Sequence, residues 1–362
     1  MSLFPFLRVF SMMAMLQLTT ACHSDSEIIE EPEVPTPDFV QGADISWVTE
    51  MEHNGHTFKN REGQVQDCYK IMKSYNLQAV RFRVWVNPSA HGHWCNMQDV
   101  LTKCQRAKAQ HLDIMIDFHY SDWWADPGKQ NIPAAWTSHT YEEMKHDVAQ
   151  HTEEVLSLLK RNNIYPKWVQ VGNETSNGFL WPMGQADQNP AQYAGLFKSG
   201  YEAVKRIFPE TEVIVHLDNG ANASLYNWNL DILKKHGAKW DLIGLSVYPY
   251  WSMQSGNFTS ANEVIEKSIA NMRALYKKYQ TNLMVVETGM ECADGNGKLA
   301  APSQLAESKR QLQYLLTCCK DSTDGHCKGV FYWEPECKPS KYRLGAFTED
   351  GRPTQIMDAW LQ

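Results

Sequence analysis

The sequence predicts an α/β fold, a single TIM (β/α)8 barrel, and three observations predict it. From residue 40 onward, eight short apolar, β-rich runs alternate with longer segments whose apolar positions recur at helical spacing, the pattern of a parallel sheet covered by helices. Once the two ends are set aside, roughly 320 residues remain, a length that fits one large barrel better than two ordinary domains. No Gly-rich phosphate loop follows the first run, where Asp44-Ile45-Ser46-Trp47 stands instead, which argues against an open doubly wound nucleotide-binding sheet.

Residues 1–22 read as a targeting segment: Arg8 supplies the positive charge, Val9 to Leu18 is a short and mostly apolar stretch, and Thr19, Thr20 and Ala21 precede Cys22. The stretch is too short to span a membrane. It resembles a bacterial lipoprotein signal, in which the cysteine is lipidated and becomes the mature N-terminus; an ordinary cleaved secretory signal is the other reading. Both export the protein, to the outer membrane or cell surface in the first case and to the periplasm or medium in the second. Residues 23–38 are acidic and Pro-rich with almost nothing to bury, which predicts an extended spacer.

The barrel domain occupies residues 39–362. Its eight predicted strands are Val40 to Ile45, Ala79 to Trp85, Asp113 to Phe118, Trp168 to Val171, Glu212 to His216, Leu242 to Val247, Leu283 to Val286 and Gly329 to Trp333. Segments such as Tyr141 to Arg161 and Ala261 to Tyr279 carry apolar residues at helical spacing between them. No internal repeat or second domain stands out.

Composition narrows the function. Thirty-four basic and 42 acidic side chains give a net charge of −8 with no Lys/Arg run, so nucleic acid is excluded as a partner. Thirteen Trp and fifteen Tyr exceed what a core of this size needs, and flat amphipathic rings are what sugar faces stack on. Beyond Cys22, cysteines stand at 68, 95, 104, 292, 318, 319, 327 and 337. Export to an oxidising compartment predicts disulfides among them, with the group from Cys292 to Cys337 close enough in sequence to staple the last loops.

Nearly every strand ends in polar residues that are costly in a barrel unless used: Asp44, Arg81 and Arg83, Asp117 and His119, Asn173 and Glu174, His216 and Asp218, Tyr248, Glu287, Trp333 and Glu334. In this fold the C-terminal strand ends converge on one pocket. Glu174 and Glu287 close the fourth and seventh strands, on opposing sides of the ring. Two carboxyls facing each other across a pocket suit glycosidic bond cleavage: a separation of about 5–5.5 Å serves a retaining enzyme, and roughly 6.5–9.5 Å an inverting one.

The strand-end motifs together resemble glycoside hydrolase family 53. They are Gly42-Ala-Asp-Ile-Ser46, Arg81-Phe-Arg-Val-Trp85, Asp117-Phe-His-Tyr-Ser-Asp122, Trp124-Ala-Asp-Pro-Gly-Lys-Gln130, Val171-Gly-Asn-Glu174, Tyr248-Pro-Tyr-Trp251, Val286-Glu-Thr-Gly289 and Tyr332-Trp-Glu-Pro335. The resemblance runs from about residue 40 to the C-terminus and implies a retaining endo-β-1,4-galactanase acting on arabinogalactan and galacto-oligosaccharides as a monomer, with no cofactor needed for the chemistry. It implies Glu174 as acid/base and Glu287 as nucleophile, the latter held ionised by Arg83 and oriented by Tyr248. Asn173 would donate to the sugar 2-hydroxyl. Asp44, His119 and His216 would line the catalytic subsite, with Trp333 as its stacking floor. Asp126, Pro127, Gly128 and Lys129 would contact substrate beyond the cleavage point, and Trp85, Trp123, Trp124, Trp136, Trp181 and Trp251 are candidates for neighbouring subsites.

Bacterial members of the family often carry a calcium site after strand seven. The corresponding run here, Asp294-Gly-Asn296-Gly-Lys298-Leu-Ala300, keeps two side-chain ligands, Asp294 and Asn296, so backbone carbonyls or the last loop must complete the oxygen shell of a structural calcium. Two alternatives stay open: a β-mannanase or xylanase built on the same carboxylate pair, and a glycan-binding lipoprotein on an inactive barrel.

Overall fold

The structure is a computed structural model that describes Met1 and residues 38–361. The predicted export segment with Cys22, and the spacer as far as residue 37, lie outside the described residues. Strand β1 (Val40–Asp44) is followed by helices α1 (Val48–His53) and α2 (Cys68–Ser74), β2 (Ala79–Val84) by α3 (Met97–Ala109), and β3 (Asp113–Phe118) by α4 (Tyr141–Arg161). Next come β4 (Trp168–Val171), α5 (Pro190–Ile207), β5 (Glu212–Leu217), α6 (Ala223–Lys235) and β6 (Leu242–Val247). Helices α7 (Pro249–Gln254) and α8 (Ala261–Tyr279), β7 (Asn282–Thr288), α9 (Pro302–Asp321) and β8 (Cys327–Trp333) complete the order. All eight strands pair in parallel, and β8 closes on β1.

The predicted strands match to within two residues at either end. Local chemistry explains the helices as well. In α4, Thr140 and Glu143 form a reciprocal capping box, Glu142 and Glu143 sit in the first turn, and Lys160 and Arg161 in the last, each favoured by the helix dipole. Met144, Val148, Val155, Leu156 and Leu159 make its buried stripe.

Strand alternation divides the core in two. In β2, Val80, Phe82 and Val84 belong to the large cluster between sheet and helices. Ala79 instead joins Val40, Met115, Trp168, Ile214, Leu242, Met284, Val286 and Phe331 in a separate apolar plug inside the ring. One step further up the same strands the interior becomes polar, with Asp44, Arg81, Asp117, Gln170, His216 and Ser246 all buried. Gly42 is required between these layers, since a Cβ there would lie 2.4 Å from the Phe331 ring.

A register shift in the β6–β7 pair has functional weight. Leu245 pairs with Val285, but Ser246 pairs with Glu287. The extra residue, Val286, is a bulge that re-aims the residues after it. Strict alternation after Met284 and Val286 would turn Glu287 toward the helices; the bulge brings it inward beside Ser246.

The eight described cysteines are unbonded, and seven are buried. The disulfides expected from export are therefore absent among the described residues. Cys68, Cys104, Cys292, Cys319 and Cys327 pack as small apolar residues in the outer core, where Cys319 and Cys327 neighbour each other as free thiols.

Candidate active site

A cleft of about 440 Å³ opens at the C-terminal ends of the strands, lined by Pro127, Glu174, Asp218, Ser246, Tyr248, Trp251, Glu287, Trp333 and Tyr342, among others. Glu174 and Glu287 thus share one cavity, but their surroundings differ sharply.

Glu287 is buried, receives Arg81 Nη2 on Oε1 at 2.8 Å, and accepts the Tyr248 hydroxyl on Oε2 at 2.9 Å. Burial raises its carboxyl to about 7, with Arg81 and Tyr248 pulling the other way. Glu174 occupies a left-handed backbone conformation, φ +46°, which is costly for a residue with a Cβ and is found where surrounding structure enforces it. Gly172, at φ +87°, starts that corner. Burial, then the charges of Glu287 and Asp218, push the Glu174 carboxyl well above its ordinary value. Both carboxyls are raised, but only Glu287 has a cation against it, an asymmetry that favours the proton on Glu174.

Arg81 is the hub of the floor. Its Nη1 reaches Asp44 at 2.7 Å, its Nη2 reaches Asp117 at 2.9 Å and the Asn173 amide oxygen at 3.0 Å, and its Nε reaches Gln170 at 2.7 Å. Asp117 illustrates the balance: burial acts to raise its carboxyl, yet Arg81 and His119 outweigh burial and lower it. Arg83, expected to serve Glu287, does not. It pairs with Glu334 and packs among Trp124, Trp47 and Trp85 at 4.3, 5.2 and 5.2 Å from the ring centroids. Both arginines point inward, but the longer reach along β2 carries Arg83 under the aromatic wall.

Three other expected subsite residues stand behind the cleft. His216 is fully buried; its Nδ1 accepts from Gln170 Nε2 and from the Glu174 backbone N–H, and its Nε2 faces Ser246 Oγ at 2.9 Å. Ser246 then donates to Glu174 Oε1 at 2.6 Å, which leaves Oε2 to carry the acid proton. Burial and Arg81 hold the His216 ring well below its ordinary value and hence neutral. His119 Nδ1 accepts from Trp85 Nε1 and the Ala125 N–H, both at 3.2 Å, so its Nε2 donates to Asp117 at 3.0 Å. Asp44 is consumed by Arg81 and by the N–H and hydroxyl of Ser46. In each case every polar atom already has a protein partner, so the residue supports the site without lining it.

Asn173 gives its side-chain oxygen to Arg81 and one Nδ2 hydrogen to the Ala125 carbonyl at 2.9 Å. Trp333 lines the cleft and meets Trp47, Trp124 and Tyr342 at 5.4, 5.9 and 4.7 Å. Trp251 stands half exposed at the rim, whereas Trp85 and Trp136 are packing residues. Asp126 and Lys129 close a turn with paired backbone bonds and an ion pair of 2.7 Å; Gly128 donates to the Asp126 carboxylate, and Pro127 reaches the cleft. Gln130 fastens this loop to the Asn173 carbonyl at 2.8 Å. Sequence reasoning missed Ser246, Gln170, Gln130 and Tyr342; Ser246 and Gln170 were legible in principle as polar residues inside apolar strands.

In the strand-seven loop the Asp294 carboxylate accepts the N–H groups of Asn296 and Lys298 at 2.8 and 3.0 Å, which fixes a turn, and Lys298 brings a positive charge where a calcium ligand would have to stand. Among the described residues no three His, Cys, Asp or Glu side chains gather to hold a metal.

A closed parallel (β/α)8 barrel with two glutamates, one paired with arginine and one not, lining a single cleft walled by aromatic rings is a glycoside hydrolase. The Glycosyl hydrolase family 53 model matches residues 40–357, and the chain belongs to that family. An endo-beta-1,4-galactanase of Bacillus subtilis is 32% identical over 328 residues, covering 86% of this chain and 73% of that protein. The arabinogalactan endo-beta-1,4-galactanase of Thermothelomyces thermophilus is 32% identical over 306 residues, 82% of this chain and 89% of its own. Among solved structures, the family 53 catalytic domain of Ignisphaera aggregans superposes with a TM-score of 0.78 at 28% identity, covering 91% of this chain and 97% of that one.

Proposed function

We propose that the protein is an endo-acting β-1,4-galactanase that cleaves the galactan of type I arabinogalactan by retaining double displacement. The observation that carries this reading is the asymmetric pair: Glu287 held by Arg81 and Tyr248, Glu174 with no cation in its strained corner. In the first step a Glu287 oxygen attacks the anomeric carbon while Glu174 gives its proton to the leaving oxygen, forming a glycosyl ester. Esterification removes the Glu287 charge, and Glu174, now a carboxylate, takes a proton from the water that hydrolyses the ester. The second Nδ2 hydrogen of Asn173 is the donor for the sugar 2-hydroxyl, and Trp333 is the floor under the reacting ring. No step requires a cofactor.

The export segment and spacer support a further part of the reading. A lipid on Cys22 with an acidic, Pro-rich tether behind it holds a monomeric barrel off a membrane surface, within reach of a polymer. Metabolic labelling with a lipid precursor checks this, and soluble, unlabelled mature protein contradicts the anchor.

The deciding experiment is the product profile on β-1,4-galactan, mannan and xylan, with Glu174→Gln and Glu287→Gln alongside. Oligosaccharides released from galactan alone, with the β-anomer formed first and activity lost in both variants, are the expected result. Release from mannan or xylan reassigns the substrate, and no release from any polymer favours a binding protein.

A further inference from the structure

The corner that carries Glu174 is fastened to the end of β5 residue by residue. The Glu174 N–H donates to His216 Nδ1 at 3.2 Å, the Thr175 N–H to the His216 carbonyl at 2.9 Å, and the Asp218 N–H to Ser176 Oγ at 3.0 Å. Ser176 Oγ in turn donates to the Asp218 carboxylate, whose other oxygen accepts from Asn219 Nδ2 at 2.7 Å. Asp218 lies on the cleft wall with Glu174. Its partners are all neutral: a hydroxyl, an amide and its own N–H. A mostly buried carboxylate with no cation is costly, and here it sits beside the one carboxyl whose task needs a proton.

The other groups around Glu174 are accounted for. Glu287 faces it from β7, Ser246 from β6 and neutral His216 from β5, with Tyr248 after β6 and Tyr226 on α6 nearby. Arg81 on β2 is shared among Asp44, Asp117 and Glu287. Of the two acidic neighbours, Glu287 loses its charge when the glycosyl ester forms, and Asp218 does not.

We propose that Asp218 is a positioning residue for the acid/base, fixing the Glu174 corner through Ser176 and keeping a negative charge beside the Glu174 carboxyl in both halves of the catalytic cycle. The inference rests on Glu174 being the acid/base. In the first half the charge favours the proton on Glu174; in the second, after Glu287 is esterified, it keeps Glu174 basic enough to activate water.

The test is the pH dependence of kcat/KM on β-1,4-galactan for the wild type, Asp218→Asn and Glu174→Gln. Asparagine can still accept from Ser176 but carries no charge, so the alkaline limb should move to lower pH by roughly half a unit or more. Asp218→Ser, smaller and also uncharged, carries the same test should asparagine disturb folding. Asp218→Glu keeps the charge off its position, so it should lower kcat with the limb close to that of the wild type. An alkaline limb that stays in place in the uncharged variants overturns the proposal. A limb that persists in the residual activity of Glu174→Gln would show that Glu174 is not the titrating acid, and the catalytic reading itself would fail.

Discussion

The same eight strands build two interiors. Their lower turns fill the ring with Val40, Ala79, Met115, Trp168, Ile214, Leu242, Met284 and Phe331, and one step higher stand Asp44, Arg81, Asp117, Gln170, His216, Ser246 and Glu287. Both layers are buried. The lower one contributes cohesion directly, since each apolar side chain removed from water stabilises by about 1.5–3 kcal/mol. The upper one does not: one guanidinium faces three carboxylates, an arrangement whose desolvation offsets most of its Coulomb attraction. The barrel is held together at one end and strained toward chemistry at the other.

Four substitutions and one dialysis sharpen that contrast. Glu287→Gln should reduce kcat on galactan by about a thousandfold or more, yet leave the melting temperature equal or higher, because it relieves crowding around Arg81; a large drop in melting temperature would mean the carboxylate is structural. Arg81→Met should destabilise by roughly 3–5 kcal/mol by leaving buried carboxylates unpaired. Its surviving activity should fall off at higher pH on the acid side, since Glu287 loses the cation that keeps it charged. Phe331→Leu, in the lower layer, should cost about 1–2 kcal/mol in denaturant unfolding while kcat per folded molecule holds; a comparable loss in kcat would show that the layers are not separable.

A smaller effect concerns Glu336, fully buried beside Glu334. Burial first, and Glu334 second, hold its carboxyl well above the ordinary value. A group raised in the folded state contributes stability that is present below its unfolded value, near 4.3, and lost as pH climbs through the folded one. Thermal melts of the wild type should therefore decline with rising pH more steeply than those of Glu336→Gln, and parallel curves would contradict this. Smallest of all, dialysis against a calcium chelator should move the melting temperature by less than about 1 °C, as a site of about 2 kcal/mol occupancy energy would shift it several degrees.

Much of this was legible in the sequence because inward and outward positions alternate: Arg81 and Arg83 between Val80, Phe82 and Val84 announce a polar interior, and Asn173-Glu174 after an apolar run marks a strand end at the pocket. What could not be read was which inward residue meets which. Arg81 and Arg83 share a face, and only the tilt of the strands assigns the first to Glu287 and the second to Glu334. His119, His216 and Asp44 have the right chemistry for a sugar but spend all their polar atoms on neighbours. The cysteines failed as a guide because most of the described ones serve as small apolar side chains in the outer core, a use that spacing does not distinguish from bonding.

The bulge at Val286 makes the reaction depend on parity. β7 places its carboxyl in the cleft because an odd count of residues intervenes where an even one would keep time with β6. The nucleophile is thus specified by arithmetic as much as by identity: without the slip at Val286, the same residues in strict alternation would turn Glu287 out among the helices and leave an intact barrel with an empty place opposite Glu174.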